Sequence, residues 1–324
     1  MKTMRIHATG GPDVMRLEDV PEPTPGAGEA LVAIAAAGLN YIDVYFRTGL
    51  YPAGLPFTPG LEAAGTVVAV GDGVRDVAPG DRVAYTGVPG AYAERAVVPV
   101  DRLVRLPDGL SFEDGAAAML QGTTAHYLTH ATFPLAPGAR CLVHAAAGGV
   151  GLLLCQLAKL RGALVIGTVS TEEKAALARA AGADHVVLYE REDVVAAVRD
   201  AMGGAGVDVV YDGVGAATFE RSLDCLRPRG MLVLFGQASG PVPPVDLAIL
   251  NWKGSLYVTR PSLAHYLASR AELLERAGAV LGWVREGRVH LRVTARYPLA
   301  DAAEAHRALE GRRTTGKVLL LTAA

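Results

Sequence analysis

A glycine-rich turn between an apolar run and a helical pattern constrains the fold of this chain more than any other feature of its sequence. The turn reads Ala145-Ala146-Ala147-Gly148-Gly149-Val150-Gly151. It follows a strand-like run at residues 139–145 and opens a helical pattern at 151–161, which is the context that a dinucleotide-binding fingerprint requires. Ala146 stands where the G-x-G-x-x-G pattern has its second glycine. The match is therefore incomplete, and a turn that only packs a helix on a sheet is the alternative.

Such a turn suits a dinucleotide for two physical reasons. Its glycines let the backbone approach a pyrophosphate closely, and the start of the following helix supplies free N–H groups and a positive dipole end. We therefore expect the cofactor's pyrophosphate to be bound by Ala147, Gly148, Gly149, Val150 and Gly151.

The pattern that follows the turn alternates strand and helix. Strand-like runs lie at residues 164–168, 185–189, 207–211 and 230–235, with helical patterns between them such as 172–181. Strands that alternate with helices of this length predict βαβ units and a doubly wound parallel sheet. Because these units follow the turn in order, we favour the dinucleotide-binding interpretation.

The first third of the chain has a different rhythm. Strand-like runs at residues 30–37, 65–70, 82–85 and 97–106 are separated by turn sequences, which is typical of a small barrel or sandwich. Ser111 and Asp114 have the spacing of a capping box and predict the start of a helix. Beyond the alternating region we expect helices at residues 263–286 and 300–309 and a strand at 317–321.

Composition narrows the classes of protein that fit. The 324 residues suggest about two domains. With 31 Lys and Arg against 33 Asp and Glu, and no basic run, nucleic acid is not an expected partner. The three cysteines lie in apolar runs and are interpreted as buried reduced thiols of a cytoplasmic protein. No apolar signal segment opens the chain, and the uncharged stretch 141–158 divides into strand, turn and helix, so a membrane span is not expected.

Several motifs give the chain a resemblance that covers about residues 4–321. They are Gly38-Leu39-Asn40-Tyr41-Ile42-Asp43, Pro59-Gly60-Leu61-Glu62-Ala63-Ala64-Gly65, Gly80-Asp81-Arg82-Val83, Gly122-Thr123-Thr124-Ala125, residues 144–151 and Gly316-Lys317. Together they resemble the medium-chain dehydrogenase/reductase superfamily, and within it the zinc-independent, zeta-crystallin-like quinone oxidoreductases. The resemblance implies an α/β protein with a GroES-like β-barrel domain, residues 1–123 and 263–324, around a Rossmann NADPH-binding domain, residues 124–262. It also implies a homodimer, joined by an edge strand near residues 254–258.

The chain departs from the zinc-dependent relatives at their metal site. Where those proteins have a histidine, Leu61 offers no lone pair, and no cysteine precedes Cys141. A catalytic zinc needs about three protein ligands, so we expect none here. Without a Lewis acid the acceptor must already be electrophilic, as quinones and α,β-unsaturated carbonyls are. Glu62 is then interpreted as a structural hydrogen-bonding residue rather than as an active-site carboxylate.

The resemblance also supplies candidate catalytic residues. Asn40, Tyr45 and Tyr51 match family positions near the nicotinamide and the acceptor. Asn40 is expected to donate a hydrogen bond to an acceptor oxygen or to the cofactor ribose. The two tyrosines either stack on a flat ring and stabilise an oxyanion or only cover a cleft. Gln121 replaces a lysine found in some relatives.

Further cofactor contacts follow from the resemblance, each with a structural alternative. Tyr127 matches a residue beside the cofactor but lies in an apolar helix, and Arg312 is otherwise a surface charge. Phe235 and Gly236 end a predicted strand, and Tyr257 and Val258 resemble a stretch that lines the nicotinamide. His126, His130 and His144 show neither metal-binding nor triad spacing and are interpreted as structural.

The choice of NADPH over NADH depends on the loop that follows the second strand. NAD-specific domains carry an acidic residue about 20 positions after the glycine-rich turn, and this chain has Thr168-Val169-Ser170 there. Ser170, Lys174 and Tyr189 match family positions that hold the 2′-phosphate. The sequence therefore predicts an NADPH:quinone oxidoreductase. The alternatives are an alkenal or enone reductase and a non-catalytic nucleotide- or RNA-binding protein.

Overall fold

The computed structural model describes residues 1–322, which divide into two compact units. The first unit combines Met1–Thr123 with the chain from Leu267 onward, and the second is Thr124–Tyr266. The second boundary thus lies at residues 266–267, where the sequence placed it at 262–263.

The first part of the chain is rich in antiparallel strands. In chain order its elements are β1 (Lys2–Ile6), β2 (Met15–Asp19), β3 (Glu29–Leu39), α1 (Tyr41–Thr48), β4 (Glu62–Val70), β5 (Arg82–Thr86), β6 (Arg95–Pro99), β7 (Val104–Arg105) and α2 (Phe112–Tyr127). The predicted capping box precedes α2, since Asp114 N donates to Ser111 Oγ at 3.1 Å and Ser111 N donates to Asp114 Oδ2 at 2.9 Å. The single strand predicted at residues 97–106 is wrong, because a 3₁₀ turn at Val100–Arg102 separates β6 from β7.

The middle of the chain alternates strand and helix as its pattern predicts. After a π-helical turn at Leu128–Thr132, its elements are β8 (Arg140–Val143), α3 (Gly149–Leu160), β9 (Leu164–Val169), α4 (Glu172–Ala180), β10 (His185–Leu188), α5 (Val194–Ala201), β11 (Val207–Asp212), α6 (Phe219–Asp224), β12 (Leu226–Leu234), α7 (Ala248–Trp252), β13 (Tyr257–Thr259) and α8 (Leu263–Tyr266). The strands pair in parallel in the order β10-β9-β8-β11-β12-β13. The order reverses between β8 and β11, which is the switch point where doubly wound sheets bind their ligands.

The last part of the chain returns to the first unit. Its elements are α9 (Arg270–Arg285), β14 (Val293–Pro298), α10 (Ala302–Glu310) and β15 (Lys317–Leu321). The prediction of one continuous helix at residues 263–286 is wrong, because residues 267–269, between α8 and α9, are not helical. Ser269 starts α9 with its own capping box, in which Glu272 N donates to Ser269 Oγ at 3.2 Å.

The sheet of the first unit is assembled from both ends of the chain. Its strand order is β14-β15-β3-β4-β5-β7, with β6 also paired to β3. β15 lies antiparallel to β3, so that Val318 is opposite Leu39 at the end of β3. Buried side chains from most of these strands, including Val32, Tyr85, Val98 and Leu320, form one core together with Ile6 of β1, which pairs with β2 in a separate two-stranded sheet. The register places the start of β15 beside the residues that lead into α1.

None of the helices within residues 1–322 is both long enough and apolar enough to cross a bilayer.

Candidate functional site

The glycine-rich turn leaves the end of β8 and starts α3. Its residue Ala145 has φ 52°, and Gly148 N donates to Ala145 O at 2.8 Å. The first bond of the helix runs from Leu152 N to Gly148 O at 2.9 Å. The three preceding amides, those of residues 149–151, therefore have no helical acceptor and point their donors out of the helix N-terminus. This is the arrangement that binds a pyrophosphate.

The glycines of the turn have different structural roles. A Cβ at Gly151 would overlap the Ala145 carbonyl and the Ala146 backbone, so the turn itself needs glycine there. A Cβ at Gly148 would meet only the Ala145 oxygen, at 3.1 Å. Gly148 is therefore the position where a side chain would mainly obstruct an approaching ligand.

The residues predicted to hold a 2′-phosphate meet at one corner of the parallel sheet. Lys174 Nζ donates to Ser170 Oγ at 3.3 Å across the first turn of α4. Tyr189 N donates to Val169 O at 3.1 Å, which places Tyr189 beside the strand end that carries Ser170. Glu173, the acidic neighbour of Lys174, is exposed. The corner therefore brings the Lys174 ammonium group and the Ser170 hydroxyl group together, with the backbone of Tyr189 beside them.

The loop after β12 is tied to the end of β11. Phe235 N donates to Asp212 O at 2.8 Å, and Gly236 N approaches the same oxygen at 3.3 Å. A Cβ at Gly236 would lie 2.5 Å from Gly213 O, so these two loop segments touch through their backbones. Phe235 and Gly236 thus lie at the carboxyl edge of the sheet, where the sequence predicted them.

The other predicted cofactor residues of this unit differ in exposure. Tyr127 is buried, and its ring stacks on Tyr266 with centroids 4.2 Å apart and an interplanar angle of 11°. Burial raises the pKa of Tyr127, so its hydroxyl stays protonated. Tyr257 and Val258 lie on β13 at the sheet edge and are 57% and 38% exposed.

In the first unit, Asn40 lies between β3 and α1 and is buried. Its Oδ1 accepts hydrogen bonds from Gln121 Nε2 and Lys317 Nζ, each at 3.1 Å. Its Nδ2 donates to Glu62 Oε1 at 3.1 Å and to Gly38 O at 3.4 Å. The amide group is therefore held by partners on both of its atoms, which uses the four hydrogen bonds it can make.

Glu62 and Lys317, which both hydrogen-bond to Asn40, also form a buried ion pair with each other. Lys317 donates to Glu62 Oε1, and Leu120 N donates to Glu62 Oε2. Burial lowers the pKa of Lys317, and the negative charge of Asp43 opposes that shift. These contacts agree with a structural hydrogen-bonding role for Glu62.

A second series of buried hydrogen bonds starts at Asp43. Its Oδ2 accepts from Asn40 N at 2.9 Å and from Tyr92 OH at 3.0 Å. Because the Tyr92 proton is committed to Asp43, the phenol oxygen accepts from His306 Nε2 at 3.3 Å. Burial raises the pKa of Asp43 to about 6.

The same series of hydrogen bonds continues from His306 to the surface. Its Nδ1 accepts from Arg47 Nη1 at 3.1 Å, and Arg47 makes a two-bond contact with Glu310 at 2.9 and 2.8 Å. Burial, helped by the Arg47 charge, lowers the pKa of His306 to about 3. The imidazole is therefore neutral, as its two hydrogen bonds also require.

Sequence reasoning gave no role to Asp43, Tyr92 or Lys317, although it noted two of the motifs that contain them. Asp43 had a usable signal, since it stands three residues after Asn40 as in a capping box. Lys317 had none, because 277 positions separate it from Asn40.

Tyr45 and Tyr51 are brought together as the sequence suggested. Their ring centroids lie 5.2 Å apart, and Tyr51 N donates to Tyr45 O at 3.0 Å. The ring centroid of Tyr41 also lies 5.7 Å from that of Tyr45. Arg312 is exposed in the turn after α10, with φ 56°. Burial raises the pKa of Tyr41, Glu310 adds to that rise and Arg312 opposes it.

Within residues 1–322, no group of three or more His, Cys, Asp or Glu side chains is arranged to hold a metal ion. Cys141, Cys155 and Cys225 are buried free thiols.

Comparison with known proteins agrees with this architecture. A family model described as alcohol dehydrogenase GroES-like domain matches residues 26–108, and one described as zinc-binding dehydrogenase matches 149–276. A quinone oxidoreductase of Pseudomonas aeruginosa is 49% identical over 322 residues, which is 99% of both chains. A 2-haloacrylate reductase of Burkholderia sp is 43% identical over 98% of this chain and 97% of its own.

The solved structures include one with a cofactor. The structure of Escherichia coli quinone oxidoreductase complexed with NADPH matches with a TM-score of 0.98 at 45% identity. The match covers 99% of this chain and 100% of the other.

Proposed function

The chain belongs to the quinone oxidoreductase branch of the medium-chain dehydrogenase/reductase family, and from that premise we propose that it reduces quinones with NADPH and without zinc. The family relation confirms the expected fold class, a GroES-like domain with a Rossmann domain. The name of the second family model refers to zinc, but Leu61 cannot serve as a metal ligand in this chain.

The observation that carries the proposal is the corner formed by Ser170, Lys174 and Tyr189. Lys174 Nζ lies 3.3 Å from Ser170 Oγ, so one phosphate group could accept from both. No carboxylate occurs at residues 168–171, where an NAD-specific domain would hold the ribose hydroxyl. NADPH is the cofactor in the solved structure of the E. coli relative.

The chemistry divides between the cofactor and the chain. Bound NADPH supplies the hydride. The glycine-rich turn binds the pyrophosphate, and the Tyr45 and Tyr51 phenols stabilise the oxyanion that develops on the quinone. Asn40 makes its four side-chain hydrogen bonds within the protein, which leaves no donor for the expected bond to the acceptor or the ribose, so its proposed role is to hold this part of the site in one arrangement.

Five further residues are proposed as cofactor contacts with smaller roles. Tyr127, Phe235 and Gly236 lie beside the cofactor, Tyr257 and Val258 line its nicotinamide, and Arg312 is a sixth, charged contact. The carboxyl-edge position of Phe235 and Gly236 supports their assignment. The stacking of Tyr127 on Tyr266 also fits a purely structural role.

A second candidate activity is the reduction of electron-poor alkenes. The 43% identical 2-haloacrylate reductase supports it, because a haloacrylate carries a conjugated carbon–carbon double bond. Hydride addition to such an alkene uses the same cofactor and, like quinone reduction, requires no Lewis acid. Alkenals and enones belong to this class of acceptor.

One assay separates the candidates. NADPH oxidation is followed spectrophotometrically with 1,4-benzoquinone, 9,10-phenanthrenequinone, 2-chloroacrylate and a series of alkenals. We expect turnover with the quinones to exceed turnover with the alkenes. Faster turnover with an alkene would favour the second activity. NADPH binding without turnover of any acceptor would contradict both and leave a non-catalytic nucleotide-binding protein.

We also propose a homodimer formed through the edge strand β13. Tyr257 on this strand and the nearby Leu247 and Trp252 are 57%, 74% and 75% exposed, which is unusual for large apolar side chains. An edge strand also offers unpaired backbone groups to a second copy. Light scattering after size-exclusion chromatography tests the dimer, and a monomeric mass would contradict it.

The three buried free thiols support a cytoplasmic location.

A further inference from the structure

A row of polar side chains crosses the parallel sheet at its switch point. Val143 at the end of β8 is paired with Gly167 of β9 on one side and with Tyr211 of β11 on the other. The next residue along each strand therefore falls in one row: Thr168, His144 and Asp212. None of the three is more than 3% exposed.

Ser222 of α6 completes the row into a continuous hydrogen-bonded network. Ser222 Oγ donates to Asp212 Oδ2 at 2.8 Å, and His144 Nε2 lies 3.0 Å from Ser222 Oγ. Because the Ser222 proton is committed to the carboxylate, Ser222 accepts from His144 Nε2. His144 Nδ1 then accepts from Thr168 Oγ1 at 2.9 Å. This arrangement requires the neutral imidazole.

The environment of His144 favours the same charge state. Burial lowers the pKa of His144; Asp212 opposes that shift, and Arg221 adds to it. The network therefore has one anion, Asp212, and no cation of its own.

Asp212 extends the network into the loop after β11. Its Oδ1 accepts from Val214 N at 2.8 Å and Gly215 N at 3.1 Å, and its Oδ2 also accepts from Thr218 Oγ1 at 2.7 Å. Its backbone oxygen accepts from Phe235 N at 2.8 Å. Asp212 thus fixes two cofactor-edge loops, the loop after β11 through its carboxylate and the loop after β12 through its backbone oxygen.

Each member of the row lies next to a segment with a proposed cofactor contact. His144 precedes the glycine-rich turn, Thr168 is two residues before Ser170, and Asp212 holds Phe235. A further bond links two of these segments directly, since Ala146 N donates to Thr168 O at 3.1 Å.

Polar side chains are an expensive way to fill the interior of a parallel sheet. Apolar residues of similar volume would avoid the desolvation of Asp212 and His144. A fully satisfied buried network, however, specifies one arrangement of the elements that it joins. Here those elements are the strand ends from which the cofactor loops emerge.

We propose that His144 is a positioning residue for NADPH, which fixes the pyrophosphate turn relative to the 2′-phosphate corner through Thr168 and relative to the loop after β11 through Ser222. This proposal rests on the proposed function, because it assumes that both segments bind the same cofactor. Because His144 is only 3% exposed, its proposed action is exerted through Thr168 and Ser222.

Three substitutions divide the bridge into its parts. His144→Phe keeps an aromatic ring but removes both hydrogen bonds. His144→Asn retains an acceptor at the position of Nδ1, towards Thr168, and His144→Gln retains a donor at the position of Nε2, towards Ser222. His185→Phe, at an exposed position at the start of β10, is the matched control.

NADPH affinity is measured by calorimetry on each variant, together with kcat, the KM for NADPH and the KM for 1,4-benzoquinone. We expect His144→Phe to raise the Kd and KM for NADPH about tenfold or more, with kcat at saturating NADPH and the quinone KM changed less than about twofold. His144→Asn and His144→Gln should lie between wild type and His144→Phe, and His185→Phe should match wild type.

The outcome that overturns the proposal is a folded His144→Phe protein that binds NADPH as tightly as wild type. A merely structural role would lower the melting temperature without that change in affinity. If His144→Phe does not fold, Thr168→Val and Thr168→Ser give the same test, because only the serine restores the hydroxyl and should restore affinity. Equal affinity for the two Thr168 variants would refute the bridge. A wild-type protein that fails to bind NADPH would instead refute the proposed function.

Discussion

Lys317 donates a hydrogen bond to Glu62 in the interior of the first unit, where the two side chains are 3% and 0% exposed. They are 255 positions apart and meet because β15 pairs with β3 and β3 pairs with β4. Gly38 of β3 leaves the space between them, since a Cβ there would overlap both. The same lysine also holds Asn40, so an ion pair far apart in sequence supports a proposed catalytic residue.

Removing the lysine should be strongly destabilising. Lys317→Met leaves the Glu62 carboxylate buried without its cation, which costs about 3–5 kcal/mol in the free energy of unfolding. The double variant with Glu62→Gln should recover part of that loss, because the uncompensated charge is gone. Urea denaturation measures both. Lys2→Met, which breaks an ion pair with side chains 50% and 72% exposed, is the control and should cost under about 1 kcal/mol. Equal losses for the two lysines would contradict the prediction.

The stability of the protein should depend on pH through Asp43. Its pKa is raised by burial to about 6, from an ordinary value of 3.8. The folded state therefore binds the proton more tightly, and the stability that protonation contributes is lost as the pH rises from about 4 to about 6.

Asp43→Asn removes this titration. Urea unfolding of wild type and variant at several pH values should show their difference shifting by about 2.4 kcal/mol in favour of the variant between pH 4 and 7. A constant difference across that range would mean that Asp43 does not titrate there.

Lys174 should select NADPH over NADH. A hydrogen bond to a charged group contributes about 1.5–3 kcal/mol, so Lys174→Ala should raise the KM for NADPH about ten- to a hundredfold. The KM for NADH should hardly change, since NADH lacks the 2′-phosphate. Arg179→Ala, an exposed charge at the other end of α4, is the control. A wild-type preference for NADH, or an equal loss for both cofactors, would show that the 2′-phosphate site is misplaced.

The glycines of the turn should separate binding from folding. Gly148→Val places a branched side chain where the pyrophosphate approaches, so NADPH affinity should collapse while the melting temperature changes little. Gly151→Ala should instead lower the melting temperature, because its Cβ overlaps the backbone of the turn. Gly278→Ala in α9 is the control, since a Cβ there meets nothing within 4 Å. Calorimetry that finds unchanged NADPH binding by Gly148→Val would contradict the assignment.

Activity should survive removal of divalent metals. The prediction rests on Leu61 at the family's histidine position and on the absence of any cysteine before Cys141. Quinone reduction is measured before and after exhaustive dialysis against a chelator, with elemental analysis of the active protein. Stoichiometric zinc that is lost together with activity would overturn zinc independence.

Local patterns predicted much of the second unit. The strand predicted at residues 164–168 is observed as Leu164–Val169, and the helix predicted at 172–181 as Glu172–Ala180. These elements can be predicted from the sequence because each is delimited by its own apolar run, cap or glycine. Ser269 and Glu272 have the spacing of a capping box, which is the sequence feature that indicates the start of α9 inside the predicted helix.

The sequence by itself determined the order of the elements, the glycine-rich turn and the family, because each of these depends on residues that are near neighbours in the chain. Only the tertiary structure decided which polar side chains share an interior. Asn40 is joined to Gln121 and Lys317 through strand pairing and helix packing, and His144 is joined to Ser222 over 78 positions. The physical reason is that a buried hydrogen bond depends on the register of neighbouring strands, and no pattern of spacing along one segment carries that register.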